Sequence, residues 1–427
     1  METYTHEKSQ ELFLRATQSI PAGVYGHLGP GEGCFMPVDA YPLYMEKAEG
    51  AYFWDIDGNR YIDYMCAYGP IILGYNDPDI TAAAQEQMTK VDCGVLPSPK
   101  MVDLAELLVD TIDSADWAFF AKNGGDVTNL AALTARAATG RDKLLMFKGG
   151  YHGVAQWMQK LGYPGITDAD QANNIVVDFG DYAAVEKAIT THKGEVAALI
   201  ATPYHHPIFE DNVIPPAEYW QKVRALCDRE GVVLIFDDVR CGFRLDVAGS
   251  DHFFGIKADL SCYCKALANG FNISALVGRE ALKEAAASVF YTGSYWLSAV
   301  PMAAAIACVT KLREVDSART CWSQGEKLIA GLTEAAEANG FVLTATGAPS
   351  MPFLRTSSYQ GTEDPDFLLH QAFAGEMVKR GVFMTNHHNH FLNTAVTDEV
   401  IAETVEAAHE AYRVTATRAD KLLSRKM

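Results

Sequence analysis

Between residues 100 and 280 two hydrophobic patterns alternate. Four short runs, Trp117–Ala121, Leu144–Phe147, Ala197–Ala201 and Val232–Phe236, are apolar at every position. A strand apolar on both faces is buried on both faces, which is the habit of parallel sheets. Between the runs lie stretches with apolar residues at helical spacing. The alternation predicts an α/β fold with a mainly parallel sheet. Before this region, residues 8–18 read as a short amphipathic helix stopped by Pro21 and Gly23. Residues 23–42 read as a Gly- and Pro-rich ordered loop, and residues 51–64 as an aromatic β-hairpin turning at Asp57-Gly58-Asn59. After it, 302–314, 321–338, 365–380 and 398–425 read as helices and 341–355 as strand. The expected division is an N-terminal segment, 1–70, contributing to a small domain; a large domain, 71–315; and a smaller α+β domain, 316–427.

Composition narrows the class. The chain has 427 residues, 49% of them hydrophobic and 21% charged, which suits a globular protein of more than one core. The net charge of −19 disfavours a nucleic-acid partner. Nine cysteines occur without a CxxC pair, so neither a disulfide framework nor a zinc ribbon is expected. No apolar stretch approaches the length of a membrane span, and the N-terminus lacks the apolar core of a signal peptide. A cytoplasmic protein is expected.

Ligands of open α/β sheets bind beyond the carboxyl ends of the strands, so the residues that follow each apolar run are the candidates. Trp117–Ala121 is followed by Lys122-Asn123-Gly124-Gly125-Asp126 and a helix. Glycines at a helix start let the backbone approach a phosphate; the same pair also suits an ordinary tight turn. Leu144–Phe147 is followed by Lys-Gly-Gly-Tyr151-His152-Gly, which offers a ring and an imidazole, or only packing. Val232–Phe236 is followed by Asp237-Asp238-Val239-Arg240. A carboxylate at the end of a buried strand needs a partner; a protonated pyridine nitrogen, a helix cap and a metal are the choices. Lys265 follows in Cys262-Tyr-Cys-Lys-Ala-Leu-Ala-Asn-Gly. A lysine desolvated there is a nucleophile, although most lysines are solvated. Together these are the parts a pyridoxal-phosphate (PLP) site requires: phosphate anchor, ring platform, pyridinium partner and Schiff-base lysine.

The chain resembles the class III aminotransferases of PLP fold type I, in the branch that contains glutamate-1-semialdehyde aminomutase. The resemblance runs from about Arg15 to about Glu406. It rests on AEGAYFWDIDGNRYIDY, KNGGD, ATGRDK, KGGYHG, LIFDDVRCGFR, DLSCYCKALANG and TGSYWLSAVPMAAA. Within that branch DYMCAYGP, DWAFFAKNG, DDVR and DLSCYCKALANG resemble the aminotransferases that act on hydrolysed fumonisin, a long-chain amino-polyol. The resemblance implies that Lys265 holds the cofactor and shuttles a proton, and that Asp237 pairs with the ring nitrogen. It implies that Tyr151 and Val239 cover the two ring faces, with His152 beside them, and that Asn123, Gly124 and Gly125 hold the phosphate. Ser294 would reach the phosphate of a neighbouring subunit, which implies a homodimer with shared sites.

The chain departs from the family pattern in four places. Asn123-Gly124-Gly125 replaces a frequent Ser-Gly-Thr, Asp237-Asp238 replaces Asp-Glu, and Thr202 precedes Pro203 where a Glu is common. Arg240 stands where Gln or an apolar residue is usual. Its side chain is expected near the cofactor's phenolic oxygen or a substrate acceptor group, or else in an ion pair with Asp238.

The activity these features imply is ping-pong transfer of an amino group from an amine donor to a keto acid acceptor such as pyruvate. Tyr25, Phe53, Tyr68, Tyr151, Tyr295 and Trp296 suggest a bulky or hydrophobic donor. His387, His388 and His390, in Asn386–Leu392, invite a metal; a loop facing the substrate entrance is the preferred reading. An aminomutase is the alternative, disfavoured because only the short stretch Val154–Asn174 follows Tyr-His-Gly. A dinucleotide-dependent oxidoreductase using Gly29–Gly33 is weaker still, since that loop follows no apolar run and precedes no clear helix.

Overall fold

The computed structural model describes residues 4–23 and 41–424. Its centre is a seven-stranded sheet. In spatial order the strands are Trp117–Ala121, Ser274–Gly278, Leu260–Tyr263, Val233–Asp237, Val196–Ala201, Lys143–Phe147 and Asn174–Val177. Only Ser274–Gly278 runs against its neighbours.

The two faces of this sheet follow from the period of two along each strand. Leu144, Met146, Ala198, Ile200, Val233 and Ile235 pack on one side with helix Gly124–Thr139. Leu145, Phe147, Leu199, Ala201, Leu234 and Phe236 pack on the other with helices Tyr182–Thr191 and Tyr219–Glu230. Both sets are buried, so the continuous apolar runs are explained.

A second sheet has four strands, Met45–Glu49, Tyr52–Asp55, Arg60–Asp63 and Val382–Phe383. Tyr52–Asp55 and Arg60–Asp63 are the expected hairpin, and Val382–Phe383 joins it from the C-terminal part. The stretch 341–355 divides into antiparallel strands Phe341–Thr346 and Phe353–Tyr359, because Gly347-Ala-Pro-Ser interposes a turn. Residues 398–425 likewise divide into helices Asp398–Ala416 and Ala419–Leu423. Helices Ala299–Glu314, Ser317–Glu337 and Leu368–Val378 lie where the periodicity puts them.

Candidate active site

All the sequence candidates from the parallel strands lie at one edge of the seven-stranded sheet, the carboxyl edge. Asp237 ends its strand, 3% exposed. Its Oδ2 lies 2.7 Å from His152 Nδ1, and its Oδ1 accepts from the Val239 N–H at 3.2 Å. His152 is buried in turn, and its backbone oxygen accepts from Thr128 Oγ1 at 2.6 Å. The imidazole therefore stands behind the carboxylate and fixes its orientation.

Lys265 follows the neighbouring strand Leu260–Tyr263 and opens a short 3-10 turn with φ of +47°. A left-handed lysine is strained, and such strain persists where surrounding structure imposes it. Burial, and next the charge of Arg240, lower the lysine to about 7. About half of the amine is then unprotonated at pH 7 and available as a nucleophile.

The phosphate turn is built on helix Gly124–Thr139. Asp126 accepts from the Asn123 N–H at 2.8 Å and the Lys122 N–H at 3.2 Å, which caps the helix. The Asn123 side chain is turned toward Asp126, at 3.4 Å. The first-turn N–H groups of Gly124 and Gly125 have no helical acceptor and carry the positive end of the helix dipole. A Cβ on Gly124 would lie 2.8 Å from Val239 Cγ1, and one on Gly153 2.7 Å from Gly125 Cα. The glycines keep the turn open and let Val239 and the Tyr151 loop approach it. Tyr151 itself is exposed.

These groups fit PLP. Among the described residues, Asp237 meets no lysine or arginine within salt-bridge distance, only the His152 ring, so a buried carboxylate remains for a pyridinium. A neutral lysine and an anion-binding helix start lie on adjoining turns. When bound, the cofactor supplies a carbonyl that takes up an amino group and a ring that accepts an electron pair.

Ser294 is exposed, in a segment whose Gly293, Ser294, Tyr295, Trp296 and Ser298 line a cavity of about 490 Å³ with Lys122, Asn123 and Asp126. Of the aromatic candidates, Phe53 is a core residue stacked on Tyr61 at 4.9 Å, and Trp296 packs against Tyr291 at 5.0 Å. Tyr295 is exposed, and Tyr25 and the Gly29–Gly33 loop lie outside the described residues. Tyr68 meets His388 edge to face at 4.9 Å.

Two of the alternatives left open by the sequence are not what the structure shows. Arg240 does not pair with Asp238: its Nη1 bonds His206 Nδ1 at 2.9 Å, the His206 carbonyl at 3.2 Å and Asn389 Oδ1 at 3.2 Å. Asp238 instead accepts from the Ser250 N–H and hydroxyl, and burial raises its carboxyl to about 7. The three histidines of 386–392 are buried and form no metal-ligand group among the described residues. Burial lowers His388 and His390, and both are neutral at pH 7.

The sequence reading missed how this wall is held. Cys66, Ala67 and Tyr68 are successive left-handed residues, with φ of 47°, 53° and 63°. Fully buried Arg244 donates to the Leu392 carbonyl at 2.6 Å and to the Gly69 carbonyl at 2.7 Å. It clamps the strained turn to the histidine loop. The signal was present in the GFR of LIFDDVRCGFR, but its partners are too distant in sequence to be read there.

A mainly parallel sheet, with an acid and a lysine on adjoining strand ends and a glycine turn at a helix start, defines a PLP-dependent enzyme of fold type I. The chain belongs to the class III aminotransferase family, whose model matches residues 35–412. It is 40% identical over 405 residues to the aminopentol aminotransferase of Sphingopyxis macrogoltabida, covering 95% of this chain and 94% of that one. It is 31% identical to the glutamate-1-semialdehyde 2,1-aminomutase of Chlorobium luteolum, covering 96% and 99%. The solved structure of the FumI protein of Sphingopyxis sp. MTA144, in its PLP internal aldimine form, superposes with a TM-score of 0.92 at 39% identity, covering 97% of this chain and 100% of that one. The protein is a PLP-dependent aminotransferase, and the oxidoreductase alternative falls.

Proposed function

We propose that this aminotransferase moves the amino group of a bulky or hydrophobic amine to a keto acid such as pyruvate, by a ping-pong mechanism, as a cytoplasmic homodimer with shared active sites. The observation that carries the chemistry is the pairing of a buried, histidine-backed Asp237 with a lysine lowered to about 7 on the next strand. Lys265 Nζ would hold the cofactor until the donor amine displaces it, and the freed amine would then carry a proton from the donor carbon to the cofactor carbon that had been its carbonyl. Asp237 keeps the proton on the ring nitrogen, and His152 keeps Asp237 in place. Tyr151 and Val239 cover the ring faces. The backbone of Asn123, Gly124 and Gly125 holds the phosphate, and Ser294 serves the partner's phosphate.

The donor class is supported by the aromatic wall of Tyr68 and His388 and by the relative that acts as an aminopentol aminotransferase. The stretch after His152 holds only a 3-10 turn, Gln156–Met158, and a four-residue helix, Asp168–Gln171. This favours exchange between molecules over an aminomutase. No described helix is long and apolar enough to cross a membrane.

The test is the visible spectrum of the holoenzyme with an amine and no acceptor. A yellow protein that bleaches with long-chain or aromatic amines, and recolours with pyruvate, is expected. A yellow protein that no amine bleaches sinks the transaminase reading of donor and acceptor.

A further inference from the structure

Among the described residues, Arg240 is a cation of the site for which the residue roles above have no use. Three arginines lie around the histidine loop, and two are committed through both ends of the guanidinium fork or to a carboxylate. Arg244 is buried, and its Nη1 and Nη2 donate to backbone carbonyls. Arg355 forms a fork with Asp211, at 2.9 and 3.3 Å. Arg240 differs from both. It forms no ion pair with a carboxylate among the described residues, and its hydrogen bonds to His206 and Asn389 all leave from Nη1.

Its surroundings do not neutralise it. His206 is pushed far below its usual range by burial and then by the arginine itself, so it accepts through Nδ1 as a neutral ring. His388 is lowered by the same causes in the same order. Asp237, the carboxylate that acts on Arg240, is committed to His152 and the Val239 N–H. Arg240 also acts on Lys265, so its charge is felt at the reacting amine. A guanidinium anchored through one nitrogen to neutral partners has its remaining donors left for an anion in a desolvated site. Arginine matches a carboxylate through two parallel N–H···O bonds.

We propose that Arg240, held by His206 and Asn389, binds the carboxylate of the keto acid acceptor. The inference rests on the transaminase reading above and deepens it by assigning the group that recognises the acceptor. A bulky donor without a carboxylate leaves the guanidinium unpaired; pyruvate fills it. The two half-reactions therefore depend on Arg240 unequally.

The test uses the holoenzyme and its Arg240→Met and Arg240→Lys variants. Each is bleached with an amine that lacks a carboxylate, then titrated with pyruvate or with propanal, which has the same three carbons and no carboxylate. Propionate binding is followed separately by ligand-observed NMR, a readout that needs no turnover. Because losing the guanidinium charge also shifts Lys265, the readout is a ratio: relative to propanal, Arg240→Met is expected to need about a hundredfold more pyruvate for half-maximal recolouring, and to lose propionate binding. Arg240→Lys is expected to keep part of the pyruvate and propionate response, which shows that the fold survives and that charge matters. Equal loss with pyruvate and propanal would overturn the proposal, because the role would then be structural. So would unchanged pyruvate and propionate responses accompanied by a shifted absorption band, which would put Arg240 on the cofactor's phenolic oxygen. A native enzyme that bleaches with amine and recolours with propanal but not pyruvate would overturn the keto acid reading itself, and this proposal with it.

Discussion

A lysine held near neutrality is a cost to the folded chain before any cofactor arrives. Lys265 titrates at about 7 in the fold and near its usual 10.5 when unfolded. Between those values the unfolded state binds more protons, so this lysine makes stability rise with pH. Its penalty is full below pH 7 and vanishes above about 10.5. In the cofactor-free protein, Lys265→Met is therefore expected to stabilise the fold at pH 7 by a few kcal/mol at most, since a tenfold change in a protonation equilibrium is worth about 1.4 kcal/mol. The gain should shrink steadily toward pH 10, as urea denaturation at pH 7, 8.5 and 10 would show. A gain independent of pH would mean that Lys265 is not desolvated. At this scale the sequence was a good guide wherever the residue immediately follows an apolar run, as Asp237 does. It was a poor guide to Arg240, whose partners His206 and Asn389 lie 34 and 149 residues away. Asp238, the near neighbour, was the natural sequence candidate, yet its carboxylate is drawn to Ser250.

Among the elements, strands declared themselves by unbroken apolar runs and failed to do so when a small polar residue was buried. Leu260–Tyr263 and Ser274–Gly278 complete the central sheet, yet each carries a serine, Ser261 or Ser274, at a fully buried position. Period and hydrophobicity cannot mark such strands, because it is the surrounding sheet that buries the hydroxyl. The contact of helix Ser317–Glu337 with the turn Gly347–Ser350 was also invisible. Gly325 faces the Pro349 carbonyl so closely that an added Cβ would overlap it. Backbone cannot yield as a side-chain tip can, so Gly325→Ala is expected to destabilise the protein by about 3 kcal/mol. Gly331→Ala, on the same helix, meets only a Val405 methyl and is expected to cost about 1 kcal/mol. Similar midpoints for the two variants in thermal or chemical unfolding would contradict this account of the packing.

At the scale of the molecule, some of the most exposed apolar residues fall on two segments that flank Ser294. Val95 and Leu96 are exposed, as are Phe290 and Tyr295. The two segments are tied together: the Ala299 N–H donates to the Asp92 carbonyl at 2.8 Å, and Cys93 Sγ donates to the Ser294 carbonyl at 3.4 Å. Grouped aromatic and aliphatic side chains in water mark a surface that associates. A net charge of −19 opposes association of two copies, so apolar burial has to offset that repulsion. Ser294 lies between Phe290 and Tyr295 in sequence, so the proposed reach of its hydroxyl to a partner's phosphate requires this surface to be the contact. Leu96→Asp combined with Phe290→Asp places two carboxylates in the proposed contact, and each buried unpaired charge costs several kcal/mol. If the proposed homodimer forms through this surface, sedimentation should show a dimer for the native chain and a monomer for the variant. The monomer should keep its far-UV spectrum and lose PLP on dialysis, because the Ser294 contribution from the partner is gone. Ser294→Ala should weaken PLP retention without changing the sedimentation coefficient. A monomeric double variant that retains PLP as the native protein does would separate association from cofactor binding and remove Ser294 from the site.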